Sequence, residues 1–187
     1  MEKMKLKEIV VLAMISVVIG IVFLGIDSIY RPLQALAGPV GGDIIYGLYL
    51  VSAALSMYIV RKPGAALAGS LFTGIVNLLL GSPYGINIIV AALLQGLGME
   101  LGVGITKYKK FGFVNMAIGT VFAMILVTLR DYFIFGFSLY ANLIPIMLIV
   151  RVISSIILGA GFSMLIGKGI AKTGALQSFK ISKEERI

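Results

Sequence analysis

Ionisable side chains are scarce in this chain, and their types limit the chemistry that it can perform. The 187 residues include eight Asp and Glu, 16 Lys and Arg, and no His or Cys. Thiolate nucleophiles, imidazole bases and the usual zinc ligands are therefore missing. We predict no catalytic residue, no metal site and no cofactor.

Two charged residues lie inside apolar stretches and must have partners. A carboxylate such as Glu100 at mid-helix costs roughly 2.5–3.5 kcal/mol on insertion scales, so it should face protein or water. It can act as a clasp between helices or as a ligand contact. Arg151 lies eight residues, or about 12 Å, inside the last apolar stretch and needs a counter-charge. Glu100 and Asp131 are the candidates at comparable depth, and we predict a structural ion pair between Arg151 and Glu100.

Polar side chains also recur at helical spacing along one short apolar stretch. Ser70, Thr73 and Asn77 fall on one face of a helix, which must point inward. Asn77 lies about one turn from the end and within reach of Tyr84, so it is a candidate ligand contact. The alternative is a hydrogen-bonded seam between helices.

A smooth stripe with one amide on it runs along a second stretch. Ala91, Gln95, Gly98 and Gly102 follow the i, i+4, i+7, i+11 pattern, which favours close helix packing around Gln95. The amide of Gln95 can both donate and accept hydrogen bonds.

The composition indicates that these residues are positioned by helices in a membrane. Hydrophobic residues make up 59% of the chain and charged residues only 13%, and the mean hydropathy is +1.06. Such a chain has too little polar surface for a soluble globule. We predict a single all-α domain, residues 1–187, with six transmembrane helices at about 9–26, 44–60, 65–80, 88–105, 113–129 and 143–166.

The distribution of cations predicts the orientation of this bundle. Thirteen of the 16 Lys and Arg residues fall on one side of the predicted helices, and such residues accumulate on the cytoplasmic side. Both termini are therefore predicted to be cytoplasmic, in the cell membrane. Because the cations are spread between apolar runs and form no single patch, we predict contact with membrane lipid and no binding of nucleic acid.

The segments on the opposite side are long, aromatic and irregular. The prolines and glycines of residues 27–43 should prevent regular helix there. Together with residues 81–85 and 131–142, this segment is predicted to form a lid over the outer face. Residues 169–187 are polar and basic and are predicted to be a solvated cytoplasmic tail.

Small residues on the first helix predict a contact surface. Ala13, Ser16 and Gly20 lie on nearly the same side, and such a face admits another helix closely. We predict a docking surface for a partner subunit. The spacing is equally compatible with a helix of the same chain.

Five motifs give the chain its resemblance to a known family. They are LAGPVGGDIIYG at 36–47, RKPGAAL at 61–67, GSPYG at 81–85, QGLGMEL at 95–101, and more loosely Asp131 with Arg151–Ser154. The chain resembles the YkoE family, which are S components, the substrate-binding subunits of energy-coupling-factor (ECF) transporters. The resemblance implies high-affinity uptake of thiamine or its hydroxymethylpyrimidine precursor, HMP, without enzymatic activity. It also implies a transmembrane coupling subunit and cytoplasmic ATPases as partners, in agreement with the lack of a P-loop motif in the sequence.

From this resemblance and the patterns above we predict a substrate-binding set. Amides would pair with the aminopyrimidine edge, carboxylates would balance the thiazolium cation, and tyrosines would stack. The predicted residues are Asp43, Tyr46, Asn77, Tyr84, Gln95, Glu100 and Asp131.

One departure from the family pattern bears on the ligand. Acidic residues commonly occupy the positions of Ser70 and Asn77 in the family, so a different and neutral vitamin-like molecule is an alternative substrate. Two other classes of function are less compatible with the sequence. A channel or scaffold would have no high-affinity ligand, and a lipid-modifying enzyme would need a metal cluster or a nucleophile with its base, neither of which the sequence provides.

Overall fold

The computed structural model describes residues 3–177 and 179–184, and these fold as an all-α bundle. The helices are α1 (Leu6–Ala37), α2 (Pro39–Ile44), α3 (Val51–Val60), α4 (Ala65–Leu79), α5 (Asn87–Gly104), α6 (Phe113–Ile134), α7 (Ile144–Ser154), α8 (Phe162–Lys172) and α9 (Lys180–Glu184). Two 3₁₀ turns, Tyr46–Leu50 and Phe137–Tyr140, and a π-helical stretch, Ser155–Gly161, lie between them.

Four helical segments of the described chain are long and apolar enough to cross a membrane. They are Leu6–Ala37, Asn87–Gly104, Phe113–Ile134 and Ile144–Lys172, and two shorter apolar segments are Tyr46–Val60 and Ala65–Leu79. Many large apolar side chains are exposed on the outside of the bundle, such as Val18 at 62% and Leu165 at 66%. An apolar exterior of this kind matches lipid rather than water as the solvent.

The first helix is longer than the sequence predicted. The prediction that residues 27–43 avoid regular helix is wrong, because α1 continues through Pro32 to Ala37 and α2 begins at Pro39. A proline inside a helix removes only one backbone hydrogen bond, and packing against the rest of the bundle offsets that loss. The ring of Tyr30 packs edge to face on Tyr49, and it lies so close to Gly42 that an added Cβ would be 2.7 Å from its Cζ. The break comes at Gly38, whose φ of 67° is in the left-handed region.

Glycines let two helices, α5 and α6, approach closely at the centre. On α5, a Cβ at Gly102 would lie 2.5 Å from the Cα of Gly119 on α6, and one at Gly98 would overlap the backbone of Ala123. The predicted packing face of α5 is confirmed, and its glycines allow the backbones of α5 and α6 to touch. The direction of Gln95, one turn from Gly98, is set by this packing.

The small-residue face of α1 is covered by a helix of the same chain. Ser16 Oγ donates a hydrogen bond of 3.1 Å to the carbonyl of Gly69 on α4, and a Cβ at Gly20 would lie 2.6 Å from Val76 Cγ1. The predicted docking of a partner subunit is therefore wrong for Ser16 and Gly20, because α4 already occupies that face. Ala13 is half-buried and stays a prediction.

The C-terminal segment packs against the bundle. Leu176, Phe179 and Ile181 are buried and join the main hydrophobic core, and Ser182 Oγ donates a 2.7 Å hydrogen bond to the carbonyl of Leu176. The prediction of a solvated tail is wrong for these residues, because three apolar side chains favour burial over solvation. Of the predicted tail 169–187, positions 178 and 185–187 lie outside the described residues.

Candidate functional site

A cavity of about 310 Å³ lies at the end of the bundle where α1 and α6 finish and α5 and α7 begin. Its volume is at the small end of the range of roughly 300–1,000 Å³ that ligand pockets occupy. Aromatic side chains form much of its wall, namely Tyr30, Tyr46, Tyr49, Tyr84, Phe135, Phe137 and Tyr140. Such a wall suits a flat, small heteroaromatic ligand.

Arg151 is the central charged residue of this cavity. Its Nε donates a hydrogen bond of 2.6 Å to Asp43 Oδ1, and its Nη1 donates to Asp131 Oδ2 at 2.9 Å. The guanidinium lies between two rings, 4.6 Å from the centroid of Tyr46 and 4.4 Å from that of Phe137. Arg151 therefore joins α2, α6, α7 and the two 3₁₀ turns into one wall.

The predicted ion pair between Arg151 and Glu100 is wrong. Asp131, the other candidate weighed, is a partner, and Asp43 supplies the second carboxylate. Glu100 lies thirteen residues beyond Asn87, about 20 Å along α5 from the cavity end. There its Oε1 accepts a 2.9 Å hydrogen bond from the N–H of Ala66 in the first turn of α4, and its Oε2 accepts one of 2.8 Å from Tyr108. Glu100 thus acts as the helix clasp that the sequence left as an alternative.

A second arginine balances the charge of the wall. Arg130 Nη2 donates a 2.6 Å hydrogen bond to Asp131 Oδ1, and its guanidinium lies 4.8 Å from the ring centroid of Phe135. Its Nη1 also donates to the carbonyl of Asn87 at 3.3 Å. Two arginines and two aspartates therefore form an internally neutral network beside the cavity.

Gln95 and Tyr84 supply polar groups that a ligand can reach. Gln95 lines the cavity and is only 6% exposed, and its amide has no hydrogen-bond partner among the described residues. Tyr84, in the turn between α4 and α5, also lines the cavity. Burial raises the pKa of Tyr84 above its ordinary value, so its phenol keeps its proton and can donate a hydrogen bond.

Four of the seven predicted binding residues line the cavity, namely Tyr46, Tyr84, Gln95 and Asp131. Asp43 lies one layer behind and touches Arg151. Asn77 is also behind the wall, where its Nδ2 donates at 3.4 Å to the carbonyl of Gly20 and to Asp27 Oδ2. Asn77 is part of a seam between α1 and α4, which the sequence left as an alternative.

Several residues near the cavity were missed by the sequence analysis. A signal existed for Asn87, because it precedes Ala91 and Gln95 at four-residue spacing on the same face. Tyr30 and Gln34 have the same spacing, but that pattern counts only if the helix continues through Pro32. The residues missed are Asp27, Tyr30, Gln34, Tyr49, Asn87 and Arg130.

Comparisons with known proteins agree with this architecture. Residues 7–126 match the model of a family described as the permease component of an ABC-type cobalt transport system. The chain is 31% identical over 185 residues to a Bacillus subtilis protein described as an HMP/thiamine permease, YkoE, with 98% of this chain and 93% of that protein covered. The chain belongs to the YkoE family.

A solved structure extends the match to three dimensions. The fold resembles the crystal structure of an S-component of an ECF transporter with a TM-score of 0.95 and 30% identity, covering 98% of this chain and 94% of that one. As a YkoE-family S component, the chain is a membrane transporter subunit that binds substrate and is not an enzyme. Within the described residues, no group of three or more Asp and Glu side chains could hold a metal ion.

Proposed function

We propose that this YkoE-family chain is the membrane-embedded subunit that captures thiamine or its precursor HMP from outside, for high-affinity uptake. The observation that carries the proposal is the aromatic cavity with the buried, unpaired amide of Gln95 in its wall. An amide that lines a cavity and has no partner in the protein is free to form its hydrogen bonds with a ligand. An aminopyrimidine offers a donor and an acceptor side by side, which is what a primary amide can match.

The aromatic wall of the cavity is suited to the thiazolium half of thiamine. A thiazolium ring carries a permanent positive charge, and a cation over an aromatic face gains about 0.5–2 kcal/mol per contact. Three of the tyrosines that line the cavity, Tyr30, Tyr49 and Tyr84, can supply such contacts.

A neutral vitamin-like molecule is a second candidate, and a specific observation favours it. The charges of Arg130, Asp131 and Arg151 in the wall are already paired with one another and with Asp43. The lining itself therefore offers no free carboxylate to a cation. HMP is a ligand of this kind, because it contains the pyrimidine of thiamine without the thiazolium.

The remaining parts of the proposal concern the assembly. We propose that six helical segments cross the membrane with both termini cytoplasmic, since the cations cluster at one end of the bundle. The cavity would then open to the outside. A transmembrane coupling subunit and cytoplasmic ATPases would supply the energy, and Ala13 on α1 is a proposed contact with the coupling subunit.

The test is direct measurement of binding. Protein purified in detergent would be analysed by mass spectrometry for a co-purified ligand, stripped of it, and titrated with thiamine and with HMP in a calorimeter. We expect binding of at least one of them, and a rise in melting temperature, because a ligand at 100 times its Kd stabilises the fold by about 2.7 kcal/mol. Failure to bind either compound, with an unrelated molecule co-purifying, would refute the assignment.

A further inference from the structure

Asp27 is a buried carboxylate that has no counter-charge. It lies on α1 and is 5% exposed, and it forms no salt bridge among the described residues. Arg31 lines the same open cleft without pairing with it. Three donors converge on its oxygens instead, namely Tyr49 at 2.8 Å, Asn77 at 3.4 Å and Ser82 at 3.5 Å.

This arrangement differs from that of the other buried aspartates. Asp43 and Asp131 each contact an arginine, so their charges are cancelled within the network. The hydrogen bonds to Asp27 stabilise its charge without cancelling it. A negative potential therefore remains on this side of the site, and it would be relieved by a positive charge brought from outside the chain.

Tyr49 connects Asp27 to the cavity. Its ring is part of the cavity wall, and it is held edge to face against Phe23 and Tyr30, at centroid distances of 5.4 and 6.1 Å. Its hydroxyl donates to Asp27. A phenol that donates to a carboxylate is polarised, with more electron density on its oxygen and ring. Such a ring attracts a cation more strongly than an isolated tyrosine does.

We propose that Asp27, acting through Tyr49, is the positioning residue that makes the cavity prefer a thiazolium-bearing ligand over the pyrimidine alone. The inference rests on the proposed function and assigns its choice of substrate. Asp27 does not touch the ligand in this account. It holds the Tyr49 ring in place and supplies the negative potential behind it.

The experiment compares two ligands on one set of variants. Full-length protein in detergent is titrated with thiamine and with HMP, for the wild type and for Asp27→Asn. The variant keeps the size of the side chain but removes its charge. We expect the affinity for thiamine to fall by about 5- to 30-fold, which corresponds to the roughly 1–2 kcal/mol of a cation–π contact shielded from water, and the affinity for HMP to change by less than about twofold. The control is Ser28→Ala, one residue away on the exposed side of α1, which should change neither affinity.

A second variant tests the route through Tyr49. Tyr49→Phe keeps the ring and removes only the hydroxyl, so it should weaken the binding of thiamine and leave that of HMP nearly unchanged. The double variant, Asp27→Asn with Tyr49→Phe, should lose no more affinity for thiamine than the weaker-binding single variant. Tyr49→Phe also carries the test if Asp27→Asn does not fold. Equal weakening of both ligands would show a merely structural role and overturn the inference, as would an unchanged ratio. If the wild type binds neither ligand, the proposed function fails and the inference with it. If it binds both and the ratio does not move, only the inference fails.

Discussion

Gln95 and Arg151 use buried polarity in opposite ways. The amide of Gln95 reaches no partner among the described residues, whereas Arg151 makes hydrogen bonds to Asp43, Thr128 and Asp131. An amide without a protein partner is available to a ligand, and a guanidinium that bonds to several elements holds the structure together. The two residues should therefore fail differently when they are substituted.

Replacing Gln95 by leucine should weaken binding and leave the fold intact. Leucine is close to glutamine in size but cannot pair with a pyrimidine, so we expect a loss of roughly tenfold or more in affinity for both thiamine and HMP. Calorimetry measures the loss. The control is Leu97→Ala on the lipid-exposed side of the same helix, which should bind normally. Unchanged affinity in Gln95→Leu would remove this residue from the site.

Replacing Arg151 by leucine should destabilise the fold, so any loss of binding should follow from unfolding. The change leaves Asp43 without a partner and leaves Asp131 with Arg130 alone, and breaking a buried ion pair in this way costs about 3–5 kcal/mol. We expect a large drop in melting temperature in detergent and poor recovery of folded protein. Arg151→Lys should be intermediate, since lysine keeps the charge but cannot bridge both carboxylates in the same plane. A normal melting temperature for the leucine variant would contradict this role.

At the scale of elements, a close backbone contact joins the first 3₁₀ turn to the end of α7. The N–H of Gly47 donates to Ser154 Oγ at 2.8 Å, and Ser154 Oγ donates to the carbonyl of Ile44 at 2.7 Å. A Cβ at Gly47 would overlap the carbonyl of Ser154. Directly after this contact the chain adopts the π-helical stretch Ser155–Gly161, a form that often marks a functional site.

Gly47→Ala should therefore separate these two elements. Overpacking of this kind costs about 1–3 kcal/mol, and because Tyr46 lies next to Gly47 in the cavity wall, ligand affinity should fall as well. Melting temperature and calorimetry measure the two effects. Gly25→Ala is the matched control, since its added Cβ meets no atom within 4 Å. Equal behaviour of the two variants would mean that the contact tolerates a methyl group.

The sequence predicted most of these elements because their ends carry local signals. The start of α4 follows a proline and a glycine, and α4 and α5 begin and end within about one residue of the prediction. The extension of α1 and the docking of the C-terminal segment could not be predicted, because both depend on contacts between distant parts of the chain. In each case tertiary packing decides over local preference.

The sequence predicted the candidate site only in part, again because some of its contacts join distant parts of the chain. Gln95 and Tyr46 could be found from helical spacing and motifs, and Arg151 was correctly seen to need a carboxylate. The choice of carboxylate could not be made from depth along a helix alone, since Asp43 is 108 positions away in sequence. Asp27 was treated as the start of a loop, and its role depends on the helix that continues beyond it.

The orientation of the whole molecule can be tested cleanly because the chain has no cysteine. Single cysteines at Gly112 and Leu139 would sit at opposite ends of α6. Gly112 has no atom within 4 Å of an added Cβ, and Leu139 is 84% exposed. In intact cells, an impermeant maleimide should label Leu139→Cys, and it should label Gly112→Cys only after permeabilisation. The reverse pattern would invert the proposed topology and direct the cavity inward.

The length of α1 has a consequence for where the ligand is met. Its 32 residues span about 48 Å, and residues 6–26 alone cover about 30 Å, the thickness of the hydrocarbon core. With residues 6–26 in the hydrocarbon core, the last three turns of α1, which include Tyr30 and Gln34, lie in the headgroup layer. The cavity that these two residues line then lies at the level of the headgroups. A hydrated vitamin would then be taken straight from water without dissolving in lipid. Hydrophobic substrate analogues that concentrate in the bilayer would gain no advantage in reaching the site.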